Sequence, residues 1–365
     1  MKSLSRLFAI TKKEVRQLRR DRLTFGMIVG IPVIQMLLFG YAINTDVRNL
    51  HTAVADQANT HLSRQFIRDL EATQVIKVVE QVETPALLEE RMRVGEVSMG
   101  VLIPPDFDRR VVDPDRPAVH LLVDGSDPTV SGVANQLRTM PLSFDTGAGA
   151  ERRNNIEVRP FYNPERRMPV NIIPGLMAII LTLTMTMFTG VAIVRERERG
   201  NLELLINTPV SSGELMLGKI LPYIVIGMLQ LALILVVGDL LFRVPMRGSV
   251  IDLYLAAAAF IAASLALGLL VSTVARTQFQ AMQMTIFLIL PSILLSGFVF
   301  PFDGMPGFAQ YLGEALPVTH FIRLTRGIML RDAGLAELSH DFYFLLGFAL
   351  VAMTAAALRF TKRLD

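Results

Sequence analysis

Six stretches of the chain are almost free of charged residues and are long enough, or nearly long enough, to cross a lipid bilayer. A helix needs roughly 20 apolar residues to span the hydrocarbon core. The last stretch is short but lies within the tolerated range. The pattern predicts an α-helical polytopic membrane protein with six transmembrane helices, at residues 24–43, 172–194, 220–242, 253–275, 281–300 and 342–358.

The first apolar stretch is preceded by a basic segment, residues 1–23, that places apolar residues on one helical stripe and Lys and Arg around it. This pattern predicts a cytoplasmic amphipathic helix at the membrane interface. A plain positively charged anchor is the alternative. Residues 24–43 are too long for a signal peptide and no small-x-small cleavage site follows them, so we interpret them as an uncleaved anchor.

Between the first two predicted spans, residues 44–171 have a different pattern, in which short apolar runs typical of strands alternate with helical patterns. This alternation predicts a small inserted α/β domain. Paired carboxylates such as Asp106 and Asp108 suit turns and helix caps, and no nucleophile–base group accompanies them. We therefore expect no catalysis here. The predicted strands are Thr52–Ala55, Val75–Val79, Met99–Ile103 and Val119–Val123.

Residues 301–341 are moderately apolar but are interrupted by several Pro and Gly residues. They are too broken for a span and fit a re-entrant hairpin or loop better. Composition agrees with a membrane protein, since 52% of the residues are hydrophobic and the mean hydropathy is +0.44. The chain has no Cys, and its five His are scattered without ligand spacing. We expect no metal site and no buried Asp/Glu/His relay.

Lys and Arg in the short loops indicate the orientation. With the N-terminus inside, the inner segments 1–23, 195–219, 276–280 and 359–365 carry sixteen basic residues, and the short outer loops carry four. Both termini are therefore predicted to be cytoplasmic. The long segment 44–171 does not count in this rule, because large domains translocate regardless of charge, and it is predicted to be extracytoplasmic.

Polar residues inside the predicted spans have two interpretations. They could hydrogen-bond between helices, or they could line a substrate path. The pattern favours hydrogen bonding but leaves the path open. The candidate residues for the path are Thr182, Thr186, Thr189, Gln230 and Gln283.

A doubly charged segment begins at Arg195 and lies between the second and third predicted spans, where it must be aqueous. Further along the same loop, Gly213–Ile220 matches the spacing of a phosphate-binding loop. It lacks the Ser or Thr that would reach Mg²⁺, and no strand precedes it. We therefore predict no ATP site on this chain.

Several of these segments together resemble the permease subunits of ABC-2 type ABC exporters, in the subgroup with a large extracytoplasmic domain after the first span. The most specific parts are the run 197–205, with the family's R-E-x-G-T-L-E pattern, then Thr208-Pro209 and Leu217-Gly218-Lys219. Asn201 replaces the family's usual Thr. Ile103-Pro104-Pro105-Asp106-Phe107, Asn163-Pro164, the Leu295–Phe298 run and Pro317 also match.

The resemblance implies a non-catalytic subunit, whose loop 195–219 docks on a separate ATPase pair that carries ATP and Mg²⁺. It also implies a second permease, identical or paralogous, a bacterial inner-membrane location, and in some systems a periplasmic adaptor. The substrates implied are hydrophobic or amphipathic drugs, with lipid or glycan export as the nearest variant. The docking residues it implies are Arg197, Glu198, Arg199, Gly200, Asn201, Leu202 and Glu203.

One alternative comes from another functional class, a membrane-anchored sensor or scaffold whose outer domain binds a ligand. The residues alone do not separate it from an exporter. Nucleic-acid binding is disfavoured, because the basic charge is concentrated at the N-terminus, whereas residues 44–171 contain more acidic than basic residues.

Overall fold

A computed structural model describes residues 49–113, 116–138, 156–165, 167–199, 212–300 and 302–359. The predicted interface helix 1–23, the predicted first span 24–43 and the tail 360–365 lie outside these residues. Most of the run predicted to dock an ATPase, from Gly200 onward, also lies outside them.

The first part of the described chain is a five-stranded mixed sheet in the order β2-β1-β3-β4-β5. β1 is parallel to β2 and β3, β3 is antiparallel to β4, and β4 is parallel to β5. The first four strands coincide with the predicted ones, and β5 was not predicted. The strands are β1 (Leu50–Asp56), β2 (Ile76–Gln81), β3 (Met99–Ile103), β4 (Val119–Asp124) and β5 (Ile156–Phe161).

Four helices accompany the strands and cover both faces of the sheet. One face buries a cluster that includes Phe66, Phe107 and Leu137. The other buries Leu88 and Met92 against the opposite side chains of β1. Because successive strand residues point to opposite faces, the nearly continuous apolar runs of β3 and β4 serve both clusters. The helices are α1 (His61–Ala72), α2 (Pro85–Val94), α3 (Phe107–Arg110) and α4 (Pro128–Arg138).

The second part of the described chain is helical, and five of its helices are long and apolar enough to cross a membrane. These five correspond to the predicted second to sixth spans. Two shorter helices and a 3₁₀ turn, Phe302–Gly304, occupy the segment predicted as a hairpin. The long helices are α5 (Met168–Glu198), α6 (Ser212–Phe242), α7 (Val250–Val274), α8 (Gln278–Leu295) and α11 (Ser339–Arg359), and the short ones are α9 (Gly307–Glu314) and α10 (Pro317–Arg331).

α7 lies at the centre of the helical part and packs on α5, α6, α10 and α11. Its approach to α5 is close because Gly268 has no side chain. A Cβ at Gly268 would lie 2.6 Å from the Thr186 carbonyl oxygen. Small residues at such crossings allow the dispersion contacts that hold membrane helices together. On the other side of α7, Phe260 stacks on Phe321 of α10, with ring centroids 4.1 Å apart.

The sheet and its helices α1–α4, which we call the sheet unit, contact the helical part through charged and polar side chains. Arg93 donates two 2.8 Å hydrogen bonds to the Glu337 carboxylate, on the turn between α10 and α11. The hydrogen bond from Arg93 lowers the pKa of Glu337. Ser98 donates to Asp303 at 2.8 Å, and Asn163 donates to Asn171 at 3.0 Å. These contacts set the position of the sheet unit at one end of the long helices.

The close packing at the α5–α7 crossing predicts that a side chain larger than that of glycine does not fit at position 268 without displacing the helices. We expect Gly268→Ala to destabilise the protein by about 1–3 kcal/mol, because the added methyl group must push α5 and α7 apart. Gly347→Ala in α11 is the matched control, since a Cβ there meets nothing within 4 Å. Thermal unfolding of the two detergent-solubilised variants measures the difference. Equal melting temperatures would contradict the close packing described here.

Candidate functional site

The charged segment that follows the second predicted span continues a membrane helix. α5 has 31 residues, which at 1.5 Å per residue is about 46 Å, well beyond the roughly 30 Å of a bilayer core. Arg and Glu are good helix formers, so the helix continues through Glu198 although the apolar stretch ends at Val194. The predicted loop boundary at Arg195 is therefore not a structural boundary.

The charged end of α5 is joined to the turn between α7 and α8. The Arg197 guanidinium donates to the Ala275 carbonyl at 3.1 Å, and Arg195 Nε donates to Gln278 Oε1 at 3.0 Å. The Glu198 carboxylate accepts the backbone N–H of Gln278 at 3.0 Å and its side-chain amide at 2.5 Å. Residues 195–199 and 275–280 thus form one surface, which we call the charged junction.

Glu198 acts as a cap supplied from another helix. Gln278 is the first residue of α8, and the N–H groups of a first helical turn have no partner within the helix. The carboxylate of Glu198 accepts one of them, and the Thr277 side chain accepts another from Gln280. A negative charge is also favourable at the positive end of the helix dipole. The end of α5 and the start of α8 are therefore held together by direct hydrogen bonds.

The junction contains only part of the predicted docking run. Arg197 and Glu198 form hydrogen bonds within the charged junction. Arg199, the C-cap residue of α5, is exposed. The remaining predicted docking residues lie outside the described part of the chain, so their docking role stays a prediction. They are Gly200, Asn201, Leu202 and Glu203.

Two of the five candidate path residues, Thr186 and Thr189, lie at the α5–α7 crossing beside Gly268. Thr182, Thr186 and Thr189 are buried, and Thr186 Oγ1 donates to the Ser264 carbonyl of α7 at 3.2 Å. Within the described residues, Thr182 donates to the Ala178 carbonyl of α5 itself at 2.8 Å, and the buried Thr189 hydroxyl has no partner. The interpretation of hydrogen bonding between helices therefore applies to Thr186.

Gln230 and Gln283 lie apart from those threonines. The Gln230 amide oxygen accepts from Thr184 of α5 at 2.8 Å, which links α6 to α5. The Gln283 amide oxygen is buried and has no hydrogen-bond partner among the described residues. A role for these five residues in substrate passage therefore stays a prediction.

A second polar region lies at the opposite end of the long helices, between them and the sheet unit. It borders a cavity of about 600 Å³ that is partly open to solvent. Residues from the sheet unit, including Asp124 and Ser126, form one wall, and residues of α9, α10 and the start of α11, including Arg323, form the other. We call it the outer cavity, following the predicted orientation.

A buried network of ionisable side chains lies beside this cavity and contains an Asp–His pair that the sequence pattern did not reveal. His320 is 1% exposed, and its Nδ1 lies 2.6 Å from Asp341 Oδ1. Its Nε2 lies 2.9 Å from the Glu314 carbonyl oxygen. The sequence pattern missed the pair because its members are 21 residues apart and on different helices, so that only the packing of α10 on α11 joins them.

Arg323 completes this network. Its guanidinium makes a bidentate contact with Glu314, at 2.5 and 3.1 Å, and lies 4.5 Å from the centre of the Phe302 ring. Burial acts to lower the pKa of Arg323, but the hydrogen bond with Glu314 and the nearby Asp341 charge outweigh it and raise the pKa. Arg323 therefore stays charged and has its partners within the network.

A family model matches most of the chain. The model of the ABC-2 family transporter protein matches residues 22–358. No solved structure matches the chain.

Curated relatives match over their full length. The probable multidrug ABC transporter permease YbhS of Escherichia coli K12 is 30% identical, with 100% of this chain and 98% of that protein covered. The probable multidrug ABC transporter permease YbhR of the same organism is 28% identical, over 98% and 99% of the two chains. The inner membrane transport permease YhhJ, also from that organism, is 27% identical, over 99% and 98%.

The charged junction predicts a specific cross-link. Because the chain has no Cys, the double variant Glu198→Cys, Gln278→Cys carries the only two thiols. We expect a short bismaleimide to join them, which would keep α5 and α8 together after cleavage between them at a protease site inserted near residue 246. Glu198→Cys paired with Arg159→Cys on β5 is the control. Failure of the first pair, with both thiols labelled by a monofunctional maleimide, would contradict the junction.

Proposed function

This chain belongs to the ABC-2 family of transporter proteins, and we propose that it is the membrane-spanning subunit of an ATP-driven exporter. The observation that carries this proposal is the charged junction, in which a long membrane helix continues into the aqueous phase and caps the start of another. A partner bound there could move two membrane helices at once. Such rigid-body movement is a common means of switching in proteins.

We propose that the motor is a separate ATPase pair and that this chain binds no ATP or Mg²⁺ itself. Residues 213–220, which match the spacing of a phosphate-binding loop, lie inside α6. A helix there supports the proposal, since a phosphate-binding loop needs a Gly-rich turn after a strand. The exposed Arg199 at the end of α5 leads directly into the proposed docking residues 200–203.

A second permease is part of the same proposal. Only 17% of the most apolar stretch of α6 is buried within the described chain. Most of that helix is therefore available to contact lipid, the predicted first span or a partner. We propose a pair of permeases that binds two ATPases. The pair consists either of two copies of this chain or of this chain and a paralogue. A periplasmic adaptor could contact the sheet unit, which is proposed to form the extracytoplasmic domain 44–171.

The names of YbhS and YbhR as probable multidrug permeases support a drug or another amphipathic compound as the substrate class. We propose that such a compound is moved out of the cytoplasm or the inner leaflet. The threonines at the α5–α7 crossing would then be exposed only when the two helices separate. This chain is proposed to lie in a bacterial inner membrane with both termini in the cytoplasm.

The proposed orientation can be tested with single cysteines, again because the chain has none of its own. In intact spheroplasts, a membrane-impermeant maleimide should label Arg159→Cys on β5 and should not label Arg199→Cys. Permeabilised cells should label both, because both positions are exposed. The reverse labelling pattern would place the charged junction outside and would rule out ATPase docking there.

The docking proposal predicts that Glu203→Arg lowers the amount of co-purified ATPase, by about tenfold if Glu203 pairs with a buried basic residue of the partner. Membrane insertion should be unchanged. Glu165→Arg, at a residue whose side chain is 78% exposed next to the sheet unit, is the matched control. The chain purified without a partner should hydrolyse no ATP. Full co-purification of the Glu203 variant would remove that residue from the interface.

A further inference from the structure

We propose that the outer cavity binds an amphiphile through a phosphate or carboxylate headgroup, and that Arg331 and Arg326 are the residues that hold this anion. The cavity, of about 600 Å³, lies between the sheet unit and the ends of the long helices. Its volume falls within the range of small-molecule sites. The site is at the opposite end of α5 from the charged junction, and the inference does not depend on ATPase docking.

Arg331 is the residue that points to a ligand. Its side chain is only 9% exposed, and its closest charged group within the described chain is Asp124, with NH1 and Oδ2 3.6 Å apart. That distance is too long for a hydrogen bond. The buried Nε also has no partner. A guanidinium has five N–H donors, and a buried charge without hydrogen-bonded partners is unfavourable. An oxyanion in the cavity would accept hydrogen bonds from the terminal NH1 and NH2 groups.

The position of Arg331 is built into the fold. Its guanidinium packs on Gly95, where a Cβ would lie 2.6 Å from NH1. Gly95 ends α2 in the left-handed conformation, with φ of +86°, so glycine suits this position for two reasons. The Asp124 carboxylate is restrained from moving closer to Arg331, because its Oδ1 accepts a hydrogen bond from the Ser126 backbone N–H at 2.9 Å. The ion pair therefore stays long, and donors of Arg331 stay available.

Arg326 adds a second incompletely used guanidinium to the same wall. It donates to the Gly297 carbonyl at 3.2 Å and lies 3.6 Å from Asp127, and its buried Nε has no partner among the described residues. Arg323 differs, because Glu314 already accepts two of its hydrogen bonds. Two arginines that line one cavity suit an oxyanion, which can accept hydrogen bonds from both.

Of the carboxylates that line the cavity, Asp124 and Asp127 lie 3.6 Å from Arg331 and Arg326, and Glu96 is paired with Arg91 at 2.7 Å. Three further carboxylates pair with other groups. Glu314 is paired with Arg323 at 2.5 Å, and Asp341 lies 2.6 Å from His320. Asp303 accepts from Ser98 at 2.8 Å. Each therefore has its own partner, and none of the three is within ion-pair distance of Arg331 in the described residues.

The amphiphilic character of the ligand follows from α9, which borders the cavity. Tyr311 lines the cavity and is 82% exposed, and Phe308 and Leu312 on the same helix are each 51% exposed. α9 comes soon after the candidate span α8, so these side chains lie near the end of a membrane helix. Exposed aromatic residues are typical of the bilayer interface. A ligand with an apolar tail could place its tail along this surface and its headgroup on Arg331.

Binding to the full-length chain in a neutral maltoside detergent, with no ATPase present, tests the proposal. Calorimetric titration would compare three probes: dihexanoyl phosphatidylglycerol, dihexanoyl glycerol without the phosphate, and inorganic phosphate without the tail. We expect saturable binding of the phospholipid, no binding of the neutral analogue and weaker binding of phosphate. Equal affinity for phosphate and phospholipid would identify a soluble anion as the ligand and would overturn the amphiphile.

Two variants with opposite expected effects identify the site. Arg331→Gln should weaken phospholipid binding about tenfold, because a charged hydrogen bond is lost. Asp124→Asn should strengthen it severalfold, since a competing negative charge is removed while the side chain can still accept from Ser126. Arg159→Gln on β5 is the surface control. If Arg331→Gln does not fold, the phospholipid affinity of Asp124→Asn still tests the proposal. Unchanged affinity in Asp124→Asn, or binding of the neutral analogue, would contradict the proposal.

Discussion

The close approach of α7 to α5 is the contact on which the rest of the helical part depends. Lipid does not drive apolar helices together by the hydrophobic effect, so packing at small residues and hydrogen bonds between helices must hold them. At this crossing Gly268 lies against the backbone of Thr186, and the Thr186 hydroxyl reaches the Ser264 carbonyl. The crossing sets the direction of α5, and α7 in turn carries α10 and α11 on its other side.

Charge is confined to the two ends of this packed unit, as the cost of placing it in hydrocarbon requires. At one end, Glu198 of α5 holds the first turn of α8, so that two membrane helices share one polar surface. At the other end, Arg93 joins the sheet unit to Glu337 on the turn between α10 and α11. The continuous helix α5 therefore links the charged junction at one end to the side of the sheet unit at the other.

The apolar pattern predicted the five described membrane helices well, because the bilayer sets their length and excludes charge. The same pattern predicted the first and last residues of these helices less accurately. α5 runs from Met168 to Glu198 although the apolar stretch is 172–194, since Arg and Glu keep helical structure in water. β5 was missed because Ile156–Phe161 contains two charged residues and a proline and is a strand only by pairing with β4. Likewise, His320 and Asp341 meet only through the packing of α10 on α11.

We propose that the charged junction responds as one unit to the nucleotide state of an ATPase bound on its cytoplasmic side. Hydrogen–deuterium exchange of the complex between this chain and its co-purified ATPase, with and without ATP and vanadate, tests this directly. The account predicts that amides at the end of α5 and in the first turn of α8, including Gln278, change their protection together. Unchanged exchange at both, or a change at the end of α5 alone, would contradict it.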